Sequence, residues 1–201
     1  MRLTLVIHPR VFISLFNNNP ASTSLLNTVI QMTEHILPRE FYERNTLDVS
    51  KQLLGKVLKF SHYRGIITEI EAYIGQDDPA CHAAKGYTPR NSVMFGVAGF
   101  SYIYFIYGMY YCLNIVTEKE GFPAAILIRG IELIEPVQLT INGPGKLCKY
   151  LSISKANNAF DLTTDHNFCV YNKDKKIKYI RTPRIGIKKG TDKLWRFKII
   201  P

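Results

Sequence analysis

Short apolar runs, broken by turn-forming residues, alternate with polar positions along most of the chain. Between residues 39 and 60 the apolar positions recur at helical spacing, which predicts a helix with Asp48 as its N-cap and Gly55 as its stop. A short helix is also predicted over residues 146–151, after Gly143-Pro144-Gly145. Apolar alternation and β-branched or aromatic runs predict strands over residues 57–60, 64–73, 101–107, 110–117, 124–134, 184–187 and 194–200.

Two of these strands form a hairpin. Gly108 and Met109 separate residues 101–107 from residues 110–117, and glycine at the first central position suits a type II′ turn. The chain has no internal repeat, and its strands do not alternate strictly with helices. The pattern therefore predicts a mixed α/β (α+β) fold, a single compact domain with a largely antiparallel sheet.

The first 31 residues differ in character from the rest, because they contain no acidic residue and are interrupted by Asn17-Asn18-Asn19-Pro20. They fit a signal peptide poorly, whereas their basic composition also allows a transit peptide. We expect Met32 to be the true start, so that residues 1–31 are an extension outside the fold and residues 32–201 form the domain. No window reaches the roughly 18 uninterrupted apolar residues of a membrane-spanning helix, so no membrane association is predicted.

The positive charge is concentrated near the C-terminus. Of a net charge of +10, residues 173–198, here called the basic segment, carry +9 from eleven basic and two acidic residues. Such segregation is typical of a surface that binds phosphate or another polyanion, although a solvated basic tail has the same composition.

Four widely spaced cysteines, Cys81, Cys112, Cys148 and Cys169, form no C-x-x-C pair, and no histidine lies at ligand spacing. We therefore expect neither zinc nor any other metal, and reduced thiols in an intracellular protein. Any hydrolytic chemistry must then come from side chains alone.

Two acidic residues lie on the strand predicted over residues 64–73. Alternation places Ile67, Glu69, Glu71 and Tyr73 on one face, with Ile66, Thr68, Ile70 and Ala72 on the other. Glutamates in strands usually face solvent. Here apolar residues flank both acids and Tyr73 continues their face, which favours a carboxylate that acts as a general base.

Five of the twelve tyrosines fall within residues 102–111. Ordinary hairpin packing explains such a run, but each buried hydroxyl needs a partner, and tyrosines beside a basic segment suit the stacking of nucleobases.

Gly143-Pro144-Gly145-Lys146-Leu147 is not a nucleotide-triphosphate loop, because Leu147 replaces the Ser or Thr that holds magnesium. Its backbone N–H groups and Lys146 can still contact one phosphate, unless the segment is only a helix-entry turn.

Several sequence blocks together resemble the alkyladenine (3-methyladenine) DNA glycosylase family of the mammalian type, here in a bacterial member. They occur in the family's order and with similar spacing, from about Leu37 to Ile199. The blocks are Glu69-Ile70-Glu71-Ala72-Tyr73, Cys81-His82, Thr88-Pro89-Arg90-Asn91, Met94-Phe95, residues 102–114, Ile126-Leu127-Ile128-Arg129 and Gly143-Pro144-Gly145-Lys146-Leu147-Cys148.

The resemblance implies a single domain around a curved antiparallel sheet, with surrounding helices and a protruding hairpin that enters the DNA minor groove. In the family's pattern Glu71 corresponds to the carboxylate that activates water, Arg129 positions it, and Glu69 is structural. The walls of the pocket for the flipped base correspond to Tyr73, His82, Tyr104, Asn114 and Leu127, of which Asn114 blocks the amino group of normal guanine.

Four further residues are expected to contact DNA. Tyr107, with Met109, resembles the wedge that fills the gap left by the extruded nucleotide. Arg90 and Lys146 are expected to bind phosphates.

The resemblance implies a monofunctional DNA glycosylase that flips alkylated purines, such as 3-methyladenine and 7-methylguanine, out of duplex DNA. It would hydrolyse the N-glycosidic bond and leave an abasic site, the first step of base excision repair. We expect no cofactor, a monomer, double-stranded DNA as the partner, and a cytoplasmic, nucleoid-associated location. Two other functions are consistent with the residues: a non-catalytic nucleic-acid-binding domain whose tyrosine hairpin stacks on bases, or a glycosidase that uses Glu69 and Glu71 as a pair.

Overall fold

The computed structural model describes residues 35–173 and 177–200 of the 201-residue chain. Its strands are β1 (Val57–Phe60), β2 (Tyr63–Ile74), β3 (Ser101–Ile106), β4 (Tyr110–Val116), β5 (Ala124–Glu135), β6 (Leu139–Asn142), β7 (Phe168–Tyr171), β8 (Tyr179–Thr182) and β9 (Arg196–Ile199). Its helices are α1 (Arg39–Tyr42), α2 (Thr46–Leu53) and α3 (Pro144–Leu151), with 3₁₀ turns at Ser92–Phe95 and Lys155–Asn157. The predicted extension over residues 1–31 and the predicted start at Met32 lie outside the described residues.

The strands form one antiparallel sheet that curves into a half-barrel, in the order β3-β4-β5-β2-β1-β7. Strand β2 is central, because β5 pairs along one of its edges while β1 and β9 pair with successive halves of the other. Strand β6 adds to β5, and β8 adds to β9. The predicted mixed α/β fold with a curved antiparallel sheet is confirmed.

Helices α2 and α3 cover one face of the sheet and enclose the main hydrophobic core. Leu53 from α2 and Leu147 from α3 meet Ile70, Leu113 and Ile126 from the strands, and all five are inaccessible to solvent. Burial of each such side chain contributes about 1.5–3 kcal/mol to stability, so this core fixes the sheet on which the site is built. No helix within the described ranges is long and apolar enough to cross a membrane.

A second, smaller core lies on the other face of the sheet, because its strand residues alternate with those of the main core. Cys81, Met94, Tyr102 and Ala125 are buried in it, together with Ala83 and Val116. Several partly buried aromatic rings, Tyr73, Phe95, Phe100 and Tyr104 among them, pack against this cluster. It therefore supports the aromatic side chains that the sequence predicts for a base pocket.

The predicted start of the first long helix is wrong. Residues 39–60 contain two short helices instead of one, and α2 begins at Thr46 with Asn45 as its N-cap, whose side chain accepts the Leu47 N–H at 3.1 Å. Asp48 lies in the first turn and pairs with Lys51 at 2.8 Å. Asparagine and aspartate both favour the N-cap, so the two positions compete in the sequence. The helix expected over residues 146–151 is confirmed, beginning two residues earlier.

The predicted alternation along β2 fails at one point. Ile67 and Ile70 both lie in the main core, although strict alternation puts them on opposite faces. The register with β5 shifts on both sides of Glu69, which marks a β-bulge. An extra residue in one strand reverses the face of everything beyond it, so Glu69 and Glu71 share a face with each other but not with Ile67.

Two further expectations about backbone conformation are wrong. Tyr107 and Gly108 both have positive φ, 52° and 66°, which indicates a type I′ turn and not the type II′ turn with Gly108 first. Residues 184–187 form a loop and not a strand, whereas β6, β7 and β8 were not predicted. Short strands of four residues carry too little alternation to be recognised from sequence.

Candidate functional site

A cleft of about 680 Å³ opens where the hairpin, the N-terminus of α3 and the loop over residues 185–189 meet the sheet. The structure brings many of the predicted site residues to this cleft, from four strands and several loops. Those that line it are Tyr73, His82, Tyr104, Tyr107, Asn114, Leu127, Arg129 and Lys146. Glu71, Arg90 and Met109 do not line the cleft.

Glu71 is fully buried directly behind the cleft wall. Its Oε1 accepts the backbone N–H of Ile185 at 2.7 Å and lies 3.3 Å from Nη1 of Arg129. Its Oε2 accepts the hydroxyl proton of Tyr73 at 2.8 Å. All three partners line the cleft. The carboxylate is thus held in one orientation, one side chain away from the space that a ligand would occupy.

Glu69 has a different environment on the same face of β2. Its Oε1 accepts from Nε of Arg129 at 2.9 Å and from Nε of Arg196 at 2.8 Å. Burial alone would raise the pKa of Glu69, but the hydrogen bonds from Arg196 and Arg129 outweigh it and hold that pKa below its usual value. Glu69 is therefore an ionised anchor that fixes Arg129, whose other end reaches Glu71.

Aromatic rings form one wall of the cleft. Tyr73 and His82 are nearly parallel, with an interplanar angle of 14° and 6.4 Å between ring centroids. His82 stacks on Tyr104 at 3.5 Å, and the Arg90 guanidinium lies 4.3 Å from the Tyr104 centroid. Two successive van der Waals contacts of about 3.5 Å need roughly 7 Å, so one flat ring fits between Tyr73 and His82 only with a small outward shift of one of them.

His82 is neutral at pH 7. Its environment, mainly burial of the ring and secondly the charge of Arg90, lowers its pKa to about 4. Nδ1 lies 3.2 Å from the Tyr102 hydroxyl, which occupies one ring nitrogen. More than a third of the residue as a whole is exposed, so solvent screening weakens the effect of this shift on stability.

We expect the free energy of unfolding to decrease as pH falls from about 6.5 toward 4. In that range His82 of the unfolded chain takes up a proton while folded His82 does not, so the unfolded state binds more protons and stability rises with pH. His82→Phe should reduce the difference between urea unfolding measured at pH 7 and at pH 5. An unchanged difference would show that His82 titrates normally in the folded protein.

Asn114 and Leu127 face each other on adjacent strands at the end of the cleft. The Asn114 amide nitrogen donates to the carbonyls of Tyr102 at 3.0 Å and Cys112 at 3.2 Å. With both donors engaged, the Asn114 side chain is fixed and nearly buried, as is Leu127. The two residues form a rigid end wall that limits which groups fit there.

The tip of the β3–β4 hairpin projects two large apolar side chains. Tyr107 is 76% exposed and Met109 is 67% exposed, as expected for side chains that pack on something outside the protein. Tyr110 packs against the backbone at the start of α3, where a Cβ on Gly145 would lie only 3.0 Å from it. Glycine at position 145 therefore lets the base of the hairpin dock on α3.

Arg184 and Asp78 form a buried ion pair that the sequence did not reveal. Nη1 and Nη2 of Arg184 contact the two carboxylate oxygens at 2.5 and 2.7 Å, and Nη1 also donates to the Ala72 carbonyl at 2.9 Å. The guanidinium lies 4.7 Å from the Tyr73 centroid. Because Arg184 immediately precedes Ile185, this pair holds the loop that donates to Glu71. No local pattern marks it, since the partners are 106 residues apart.

The basic segment is not a uniform phosphate surface. Arg184 and Arg196 are engaged inside the fold by Asp78 and Glu69, so these two of its eleven cations are not part of an outward-facing surface. Residues 174–176 lie outside the described residues. Lys188 and Lys189 are exposed and line the cleft with Lys146, and within the described ranges none of the three pairs with an acid.

The other predicted phosphate ligand, Arg90, is exposed but partly engaged. Its Nη2 donates to the carbonyl of Phe105 while the guanidinium covers Tyr104. It therefore braces the hairpin against the aromatic wall, and phosphate binding by Arg90 and Lys146 remains a prediction.

All four cysteines are buried and unpaired. In the described part of the chain, no group of three or more His, Cys, Asp or Glu side chains is placed to hold a metal ion.

Sequence comparisons agree with this arrangement. The methylpurine-DNA glycosylase (MPG) family profile matches residues 40–200. A protein of Sodalis glossinidius is 69% identical over 167 residues, covering 83% of this chain and 98% of its own length. Proteins of the Wolbachia of Brugia malayi (66% over 168 residues, 84% and 99% covered) and of Ehrlichia chaffeensis (62% over 171 residues, 84% and 95%) are also similar. All three are named, provisionally, as 3-methyladenine DNA glycosylases.

Proposed function

The chain belongs to the methylpurine-DNA glycosylase family, and we propose that it flips alkylated purines out of duplex DNA and hydrolyses their N-glycosidic bonds. The observation that carries the proposal is the placement of the buried Glu71 carboxylate directly behind parallel aromatic rings that line a cleft. A base inside the duplex is out of reach of any carboxylate, so the reaction requires extrusion at a cost of a few kcal/mol.

The rings support a preference for alkylated bases. N-alkylated purines such as 3-methyladenine carry a positive charge, and an electron-rich aromatic face binds a cation by about 0.5–2 kcal/mol. A cationic base between Tyr73 and His82 would gain this energy, whereas a neutral base would gain stacking alone. Because His82 is neutral at pH 7, it adds no opposing charge.

The charges around Glu71 support a mechanism with one carboxylate. A cationic purine is already a good leaving group, so no general acid is needed, and Glu71 can accept the proton of the attacking water while its charge stabilises the oxocarbenium-like sugar. Glu69 is held ionised by Arg129 and Arg196 and has no proton to give at neutral pH. This argues against a glycosidase in which the two glutamates act as an acid–base pair.

The rigid end wall supports rejection of normal guanine. The two hydrogen bonds that fix the Asn114 side chain prevent it from swinging away. An exocyclic amino group that reached Asn114 would meet a fixed side chain next to Leu127. We propose that this contact disfavours unmodified guanine, and that 7-methylguanine, which carries the same amino group, is still bound because its positive charge gains the cation–π energy that neutral guanine lacks.

Lys146, Lys188 and Lys189 support DNA binding by this face, and their contribution can be measured through salt. Each phosphate that the protein neutralises contributes about −0.9 to the slope of log K against log salt concentration. Replacing both Lys188 and Lys189 with alanine should make the slope less steep by about 0.9 for each phosphate that is no longer neutralised, and should weaken binding of damaged and undamaged DNA alike. Lys51→Ala, which removes a lysine of α2 that does not line the cleft, is the control for loss of a positive charge elsewhere. An unchanged slope in the double variant would place the DNA on another face.

The product distinguishes hydrolysis by water from attack by one of these lysines. We propose a monofunctional enzyme, so a duplex with one 7-methylguanine should yield strands that break only after alkali treatment. Trapping with borohydride should give no covalent protein–DNA adduct, because no lysine forms a Schiff base with the sugar. Strand breaks without alkali, together with a trapped adduct, would contradict the monofunctional mechanism.

A further inference from the structure

The contacts of the Glu71 carboxylate divide unequally between its two oxygens. Oε1 accepts the Ile185 N–H at 2.7 Å and lies 3.3 Å from Nη1 of Arg129. Among the described residues, Oε2 accepts one hydrogen bond, from Tyr73 at 2.8 Å. Each oxygen thus accepts one hydrogen bond, but Oε1 also faces the Arg129 guanidinium at ion-pair distance, whereas Oε2 keeps a lone pair for a further donor.

The donors also differ in kind. A backbone N–H and an arginine N–H can only donate, so neither can turn to face a protonated oxygen. A tyrosine hydroxyl both donates and accepts, and rotation about its C–O bond exchanges the two roles. A proton on Oε1 would therefore meet two N–H groups, while a proton on Oε2 has an acceptor within 2.8 Å.

We propose that Oε2 of Glu71 takes the proton from the attacking water, and that the Tyr73 hydroxyl turns from donor to acceptor as it does so. This inference rests on the proposed function. The water O–H bond breaks and its proton moves to Oε2, while the water oxygen forms a bond to C1′ of the sugar. The bond from C1′ to the base nitrogen breaks, and its electron pair leaves with the base. Tyr73 then acts twice, through its ring on the base and through its hydroxyl on Glu71.

The surroundings of Tyr73 fit this role. Burial, and next the negative charge of Glu71, raise the pKa of Tyr73, so its hydroxyl keeps the proton that it donates. The Arg184 guanidinium packs on the ring, 4.7 Å from its centroid. Asp78 fixes Arg184 in turn through two short contacts. The hydroxyl is thus kept in reach of Oε2 while it remains free to rotate.

Tyr73→Phe tests the proposal, because it keeps the ring and removes only the hydroxyl. Single-turnover release of 7-methylguanine should slow by about tenfold, the lower range for a hydrogen bond to a charged group. The concentration of protein that half-saturates the lesion-containing duplex should change by less than about twofold. Tyr73→Leu, which also removes the ring, should weaken both the rate and the binding.

The control is Tyr42→Phe, which removes a buried hydroxyl that has no hydrogen-bond partner in the described part of the chain and lies in the main core, outside the lining of the cleft. Its rate and binding should match the wild type, and melting temperatures of all variants check that they are folded. A Tyr73→Phe rate equal to or faster than wild type would overturn the proposal, as would equal losses of binding in Tyr73→Phe and Tyr73→Leu. If the wild type itself released no methylpurine, the proposed function would fail instead.

Discussion

Glu71→Gln is expected to lose base release while it retains binding of the lesion. General-base catalysis contributes about 10²–10⁴-fold, so the single-turnover rate should fall by that factor. The fold should survive, because the glutamine carbonyl oxygen can accept from Ile185 and Arg129, and its amide can donate to the Tyr73 hydroxyl once that hydroxyl has rotated. Measurement of release rate and duplex affinity in the same preparation separates the two properties.

Glu69→Gln is the matched control, since it makes the same chemical change two residues away on the same strand. Glu69 anchors Arg129 and Arg196, so its replacement should lower the free energy of unfolding by about 1–3 kcal/mol, because these guanidinium groups lose their charged partner. The rate of base release should fall by less than about tenfold. Equal loss of rate in both variants would instead favour a mechanism in which the two carboxylates work as a pair.

Tyr107→Ala is expected to impair excision of paired lesions without affecting stability. The side chain is 76% exposed at the hairpin tip, so the fold does not depend on it. As a wedge, Tyr107 would replace the stacking that is lost when the nucleotide leaves the helix. A base–aromatic stack contributes about 1–3 kcal/mol, so the variant's rate should fall by roughly 5-fold to 150-fold. The loss should be largest for a correctly paired lesion and small where the opposite base is missing.

Two results would count against the wedge. A large fall in melting temperature of Tyr107→Ala would show that the hairpin tip is packed within the fold. An unchanged rate on paired lesions would show that another residue acts as the wedge. Met109, which is 67% exposed beside Tyr107, would then be the first residue to substitute. The salt dependence of binding should stay unchanged in both variants, because neither side chain carries charge.

Much of the fold and the site could be predicted from the sequence because the informative residues are close together along the chain. Glu69, Glu71 and Tyr73 share a face of β2 by simple alternation, and the hairpin carries its own tyrosines and turn glycine. The bulge at Glu69 could not be predicted, since an inserted residue leaves each half of β2 with a normal pattern. Its effect is visible only in the pairing with β5.

The contacts that complete the site are all distant in sequence. Ile185 lies 114 residues from Glu71, and its contribution is a backbone N–H that no side-chain pattern reveals. In the sequence, Arg184 is one of the cations of the basic segment and would be expected at the surface. It is almost completely buried in the structure, where the Asp78 carboxylate neutralises its charge. A buried cation is tolerated only with such a partner, and the partner is identified by the tertiary structure alone.

Release of free base from methylated DNA measures whether this chain removes methylated purines, as proposed. Duplex DNA methylated on its purines is incubated with the full chain, and the small molecules in solution are separated from the DNA and identified. We expect free 3-methyladenine and 7-methylguanine, no normal purine, and no release by Glu71→Gln. Binding of the methylated duplex without release of any methylpurine would contradict the proposed function and identify a non-catalytic DNA-binding domain.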